Sequence, residues 1–445
     1  MYRLSRTSSL RLLVSPSLLA LSLCYLVAYH PAFAQVQIIN GTWEWPDQGI
    51  GCLDPNGDTA ECAFVFDLLP YEGKLVVGGG FFYAGGIPAK YLAVWDRESW
   101  STLGEGFPEG PVKTLLELDS ALYIGGGFNS IGGLPINACA KWDGETWSEL
   151  GEGLLPTIVV RDLEAWNDGK GSILFVAAQT IFRWDGTDWS IPGGGVSGGG
   201  GGAYALAVFD DGAGPALYAA GLFKYAGGVL CNGVAKWNGT TWSPLGQGIT
   251  SAAGYGLALA AYDDGTGAAL YLGGYFQEID GKPIIAVARW DGQTWSAVDD
   301  PDFQPGTEVT EVRVLDDGSG PELYVVATHR LQKWNGKRWL RYPPVSVGFL
   351  TATIFPGPAG PTLHVGGGIN LGDFDNPRYT NIAYFRRGFA CGDLNGDGVT
   401  DQKDLGILLA VFNCTGYCAG DADGDGDVDQ SDLGILLAHF GQECG

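Results

Sequence analysis

The chain has 445 residues, 46% of them hydrophobic with 15 Trp, 19 Tyr and 20 Phe, which excludes a disordered chain and leaves room for two or three domains. Glycine occurs 72 times, about 16% against a usual ~7%, and methionine once, so tight turns between short strands are expected rather than helical bundles. Fifty acidic residues against 25 basic ones, a net charge of −25, make nucleic acid a poor partner and metal cations the natural counter-charge.

Residues 1–34 read as an export signal. Arg3, Arg6 and Arg11 precede an apolar stretch from Leu18 to Ala28, and Ala32-Phe33-Ala34 offers a cleavage site. The stretch is too short for a membrane span, so no transmembrane segment is expected in the mature chain. The expected location is secreted, extracellular or at the cell surface of a bacterium. Removal of the signal leaves Cys52, Cys62, Cys139, Cys231, Cys391, Cys414, Cys418 and Cys444, an even count that permits disulfides. Cys52 and Cys62 flank a short loop and form the best candidate pair. The last four cysteines allow three pairings that sequence does not separate, and Cys139 and Cys231 fall in different repeats and read as buried thiols.

From residue 35 to 388 one pattern recurs: "AVWDRESW" at 93–100, "AKWDGETW" at 140–147, "FRWDGTDW" at 182–189, "AKWNGTTW" at 235–242, "ARWDGQTW" at 288–295 and "QKWNGKRW" at 332–339. The leading residues Trp95, Trp142, Trp184, Trp237, Trp290 and Trp334 recur at 42 to 53 residues, a period typical of repeat architectures. Asp-Gly or Asn-Gly between apolar runs signals a hairpin, and a four-residue turn sets the two tryptophans opposite each other. Two more strand-like runs precede each pair, joined in later repeats by "FDDGAGPALY", "YDDGTGAALY" and "LDDGSGPELY". The unit is therefore a four-stranded antiparallel sheet. A seventh unit begins near Leu350, places Phe385 at the leading Trp position and lacks its last strand. "NGTWEWPDQGI" at 40–50 matches "NGTTWSPLGQGI" at 238–249 and supplies that strand. The expected fold is mainly β: a seven-bladed β-propeller closed by the N-terminal strand, which removes exposed sheet edges.

The diglycine ending the second strand (Gly125-Gly126) and the paired aromatics Trp142 and Trp147 resemble kelch and galactose-oxidase-type propellers. That resemblance implies architecture and says little of chemistry. Repeats 1, 2, 4, 5 and 7 insert a glycine-containing loop between strands two and three, such as "FYAGGIPAKY", and repeats 3 and 6 omit it. Such insertions gather on one face, often the binding face.

The tail, 391–445, holds eleven acidic residues and one Lys. Asp393, Asn395, Asp397, Asp401 and Asp404 occupy positions 1, 3, 5, 9 and 12 of a loop, with Gly398 at 6 and the Val399 carbonyl at 7. Asp421, Asp423, Asp425, Asp429 and Asp432 repeat this spacing, with Gly426 and the Asp427 carbonyl. Alternating oxygens converging on a hard cation, with glycine at the sharp turn, are the grammar of calcium loops, so two calcium ions are expected. Neighbouring carboxylates about 4 Å apart repel by roughly 1 to 4 kcal/mol, which a divalent ion offsets. At helical spacing Leu405, Leu408, Leu409 and Phe412 share a face, as do Leu433, Leu436, Leu437 and Phe440, and these faces are expected to pack the halves together.

A duplicated calcium loop, each copy followed by one helix, resembles a dockerin. The resemblance implies a small α-helical, EF-hand-like calcium-binding domain that docks to a cohesin-like or cell-envelope protein. Positions 10 and 11, often Ser and Thr in dockerins, hold Gln402-Lys403 and Gln430-Ser431 here.

No catalytic set emerges. His329 and His364 lack the tyrosines and cysteine of a copper radical site in register. "GVSGG" at 195–199 and "GGGVSG" at 193–198 match a nucleophile elbow and a dinucleotide fingerprint through glycine abundance alone. The Asp pairs 210–211, 263–264 and 316–317 sit in repeated turns and read as structural. The sequence favours a non-catalytic propeller binding a glycan or protein. The alternative is a polysaccharide-degrading enzyme, a glycosidase or lyase, carried by its dockerin.

Overall fold

The computed structural model describes residues 37–38, 41–44, 50–51, 64–104, 106–167, 171–298, 300, 303–318, 320–327, 330–343, 348–357, 360–368, 381–387, 392, 394, 399–413 and 428–442. Among them the chain is mainly β, with seven antiparallel sheets of four strands arranged in a β-propeller-like manner. Their innermost strands are Phe64–Tyr71, Val112–Leu118, Asp162–Asn167, Gly202–Asp210, Tyr255–Asp263, Val309–Asp316 and Phe349–Gly357. Each of these touches the innermost strand of the next sheet, and the seventh touches the first. Gln37–Ile38 adds a fifth, parallel strand to the sixth sheet. Gly41–Glu44 pairs with Ile382–Arg387 in the seventh, with Trp43 opposite Phe385.

Apolar side chains of adjacent sheets interlock to form the core. Phe128 and Trp142 pack with Val76 and Val94 between the first and second sheets, and Phe355 and Ile382 pack with Val65 and Leu68 between the seventh and first. A second strand covered on both faces has no reason to alternate, and Ala121–Gly126 ("ALYIGG") is buried at every position.

The repeated tryptophans pair as their spacing requires. Trp95 lies opposite Trp100, Trp142 opposite Trp147 and Trp290 opposite Trp295, with ring centroids 5.1 to 5.2 Å apart. The second member also reaches back to the preceding sheet. The indole N–H of Trp147 donates to the Leu103 carbonyl, that of Trp189 to Leu150, Trp242 to Pro192 and Trp295 to Leu245. One residue type thus closes the hairpin and fastens neighbouring sheets.

Each Asp pair has a divided role. Asp210 accepts the Gly212 and Gly214 N–H groups of its turn, and Asp263 and Asp316 do the same at theirs. Asp211, Asp264 and Asp317 accept the Tyr218, Tyr271 and Tyr324 hydroxyls. Asp211 also pairs with Lys236, and Asp317 lies 2.8 Å from the Lys333 ammonium.

The insertions form small hairpins in four repeats. Tyr83–Ala84 with Ile87–Pro88, and Tyr225–Ala226 with Val229–Leu230, each pair with the segment that leads into their own sheet; Ile131 and Ile279 make the corresponding bridges. The seventh insertion lies outside the described residues. Ile87, Leu134, Tyr225, Val229 and Leu230 stand exposed on these hairpins.

In the tail, helix α1 (Gln402–Ala410) and helix α2 (Gln430–Ala438) pack through Leu408 and Leu436, with Leu394 and Val428 completing a small core. The expected faces are narrower than their spacing suggests. Leu409, Leu437 and Phe440 are exposed, because two nine-residue helices meeting once bury only the residues along their line of contact.

Candidate functional site

Six of the seven innermost strands carry a β-bulge at the same place. The residues left unpaired are Phe66, Lys113, Tyr204, Leu257, Thr310 and Leu350. The third strand has no bulge, and Arg161 stands just before Asp162 at the equivalent position. An innermost strand has its own sheet on one side and the axis of the ring on the other. All seven residues are half-buried, so the solvent they reach lies along that axis. Bulges re-aim side chains in this way beside binding and active sites.

The diglycine makes room for the bulge. A Cβ on Gly126 would lie 2.1 Å from the Pro111 carbonyl oxygen, and one on Gly79 would lie 2.2 Å from that of Phe64. The third sheet has Ala177-Ala178 there and no bulge, whereas the sixth keeps its bulge beside Ala327.

Chemically the axial ring is mixed. The Lys113 ammonium sits 4.8 Å from the Phe66 ring centre, and the Arg161 guanidinium 4.7 Å from that of Tyr204. Tyr204 meets Tyr255 edge-on at 6.3 Å, and the Tyr255 hydroxyl donates to Glu308. Burial and the neighbouring Arg161 charge hold the Lys113 ammonium below its usual pKa.

A second layer of acids follows. Asp67, Asp162 and Glu311 each accept the N–H of an innermost strand one sheet on, from Leu115, Leu206 and Ala352 at 2.7 to 2.8 Å. Arg313 lies 3.0 Å from Asp67 and 2.9 Å from Glu311. Burial pushes Asp162 up to about 7, outweighing the N–H bonds that favour its charge. Burial, then the Asp162 charge, pushes Glu164 up to about 8. Burial likewise raises Glu311 to about 7 against the pull of Arg313.

Sequence reasoning missed this ring because its members share no residue type. The signal was positional: each stands on an innermost strand opposite the end of the second strand of its own sheet.

The calcium-loop residues are placed only in part. Asp393, Asn395, Asp397, Asp421, Asp423, Asp425 and Asp427 lie outside the described residues, as do the seven cysteines other than Cys139 and Cys231. Val399 is described and half-buried. Asp401 and Asp429 are the N-caps of α1 and α2, and Asp404 and Asp432 accept the backbone N–H of those cap residues. Asp404 is fully buried and also accepts the Leu394 N–H. Carboxylates and a carbonyl suit a hard cation, and two buried acids at helix starts suit the closing position of a calcium loop. No cluster of three His, Cys, Asp or Glu suited to a metal occurs among the described residues.

Other candidates resolve simply. His364 is packed against Phe355 and Tyr384, and burial lowers its pKa to about 4. His329 lies outside the described residues. Ser197 belongs to a two-residue strand paired with Tyr225–Ala226, so it has no strand-to-helix elbow. Cys139 and Cys231 are buried free thiols, and burial pushes Cys139 up to about 12. No helix among the described residues is long and apolar enough to cross a membrane, which leaves strand-based crossing unaddressed.

No family model and no curated protein matches the chain. Among solved structures it is similar to the extracellular domain of the one-component system BT4673 from B. thetaiotaomicron, with TM-score 0.47 and 11% identity over 77% of this chain. That match spans only 40% of the longer protein. It is also similar to a chain of the mitotic checkpoint complex, with TM-score 0.45 and 14% identity over 86% of this chain and 98% of the other. At this distance the likenesses assign no site and no activity.

Proposed function

We propose that the chain is an exported, calcium-binding protein made of a seven-bladed, kelch-like β-propeller and a dockerin-like tail. The propeller binds a glycan or protein ligand at its axial mouth. The tail, ordered by two calcium ions, attaches the molecule to a cohesin-like or envelope partner. The observation that carries the propeller reading is the ring of seven half-buried residues, six of them presented by a bulge at the same strand position. A bulge costs ladder pairing, and its recurrence with varied side chains suits a surface that recognises something.

For the tail, the support is the twice-written loop spacing with buried Asp404 and Asp432 at its closing positions. Calorimetry on the full chain tests it. Two calcium ions per molecule are expected, and fewer in Asp404→Asn or Asp432→Asn; absence of calcium heat in the unaltered chain refutes it. Screening the full chain against glycans and peptides, with Tyr204→Ala as the control, tests the mouth. Ligands whose capture is insensitive to the Tyr204, Phe66 and Lys113 positions would place recognition elsewhere.

A second reading, a saccharide-cleaving enzyme, is favoured by Glu164. This acid is held largely protonated at neutral pH on an innermost strand, as a proton donor requires. Turnover of a captured glycan that disappears in Glu164→Gln would select it.

A further inference from the structure

Two cations stand side by side in the axial ring of a chain whose net charge is −25. Lys113 and Arg161 occupy equivalent places on adjacent strands, and no carboxylate lies within ion-pair distance of either among the described residues. Arg161 spends one guanidinium nitrogen on the Gly201 and Ala203 carbonyls, 2.8 and 3.4 Å away, which fixes its direction. The Lys113 ammonium lies over the Phe66 ring and makes no ion pair among the described residues. Like charges held together at partial burial repel each other, and an anion seated between them would offset both that repulsion and the hydration they have lost.

We propose that Lys113 and Arg161 together receive the carboxylate of a saccharide, so that the axial ligand is a short glycan containing a uronic acid. This rests on the reading that the axial mouth is the binding site. The company of the two cations selects a sugar over a simple anion. Phe66 and Leu257 offer apolar surface to the C–H face of a pyranose, while Tyr204 and Thr310 offer hydroxyls to its rim. The net charge selects a short ligand, since a long polyanion is repelled by the remainder of the molecule.

Calorimetry on the full chain with trigalacturonate, its methyl triester and a triglutamate peptide tests the proposal. Trigalacturonate is expected to bind at least about tenfold more tightly than the ester, the value of one charge-assisted hydrogen bond, and to weaken with added salt. Lys113→Met removes no hydrogen bond, so its thermal midpoint should hold while the advantage of the acid over the ester disappears. Equal affinity for acid and ester, or no effect of Lys113→Met, overturns the carboxylate assignment. Equal binding of triglutamate overturns the saccharide. If the ester binds and Tyr204→Ala abolishes it, the axial mouth stands without the charge assignment. If neither trigalacturonate nor its ester binds, the saccharide assignment falls, and the axial mouth is left to a protein ligand.

Discussion

Arg313 and Asp67, 246 residues apart in sequence, meet at 3.0 Å across the end of the chain's circuit. From the sixth sheet, the guanidinium also donates to the Ala352 carbonyl of the seventh and the Leu68 carbonyl of the first. One side chain thus ties three sheets at the place where the ring closes. Arg313→Met leaves the buried Asp67 and Glu311 carboxyls without their cation partner. The expected loss is about 3 kcal/mol, the low end for a broken buried pair because the guanidinium keeps some access to water. Urea denaturation measures it, and a change below 1 kcal/mol would mean that the closure is held elsewhere.

Three acids of the inner strands should make the protein more stable in mild acid. Glu164, Asp162 and Glu311 have folded pKa values raised to about 8, 7 and 7, above the unfolded values near 4. Between these limits the folded chain holds more protons than the unfolded one, so stability is complete below about pH 4 and falls as pH rises towards 8. Urea midpoints at fixed calcium should drop from pH 5 to pH 8, and less steeply in Glu164→Gln. A midpoint that rises across this window contradicts the assignment.

Where the second strand ends in a diglycine, the bulge occupies the room that the missing side chain leaves. Gly126→Ala forces a Cβ into the Pro111 carbonyl and should cost about 1–3 kcal/mol, with the bulge that presents Lys113 lost or shifted. Gly127→Ala is the control, since its Cβ meets only Val159 at an ordinary 3.7 Å. Denaturation midpoints of the two variants should separate clearly; equal midpoints would dissociate the diglycine from the bulge.

Trp295, almost wholly buried, combines packing with a hydrogen bond to the preceding sheet. Trp295→Phe keeps the ring contact with Trp290 and orphans the Leu245 carbonyl, for an expected loss of about 1–2 kcal/mol. Trp295→Ala adds a cavity and should reach about 3–5 kcal/mol. Similar values for both would show that the hydrogen bond rather than the volume matters.

The tail offers a contrast between similar leucines. Leu408→Ala and Leu436→Ala empty its small core and should reduce helix signal and calcium affinity together. Leu409→Ala and Leu437→Ala, on exposed positions, should change stability by no more than about 0.5 kcal/mol. Circular dichroism with and without calcium distinguishes them.

Local chemistry determined much of this protein in advance. Turn residues at Asp96, Asp143 and Asp291 and the flanking tryptophans wrote the hairpins, because such a turn closes over a few residues and needs no distant partner. The structural character of the paired aspartates, the insertions of the first, second, fourth and fifth repeats and the strand supplied from 41–44 were legible for the same reason: each repeats a phrase found elsewhere in the chain. The axial ring was not legible. Phe66, Lys113, Arg161 and Tyr204 come from four repeats and share no chemistry, and only the circular packing of sheets brings them to one axis. Whether a leucine in the tail helices is buried was likewise decided in three dimensions, since spacing gives the face of a helix while its partner sets how much of that face is covered.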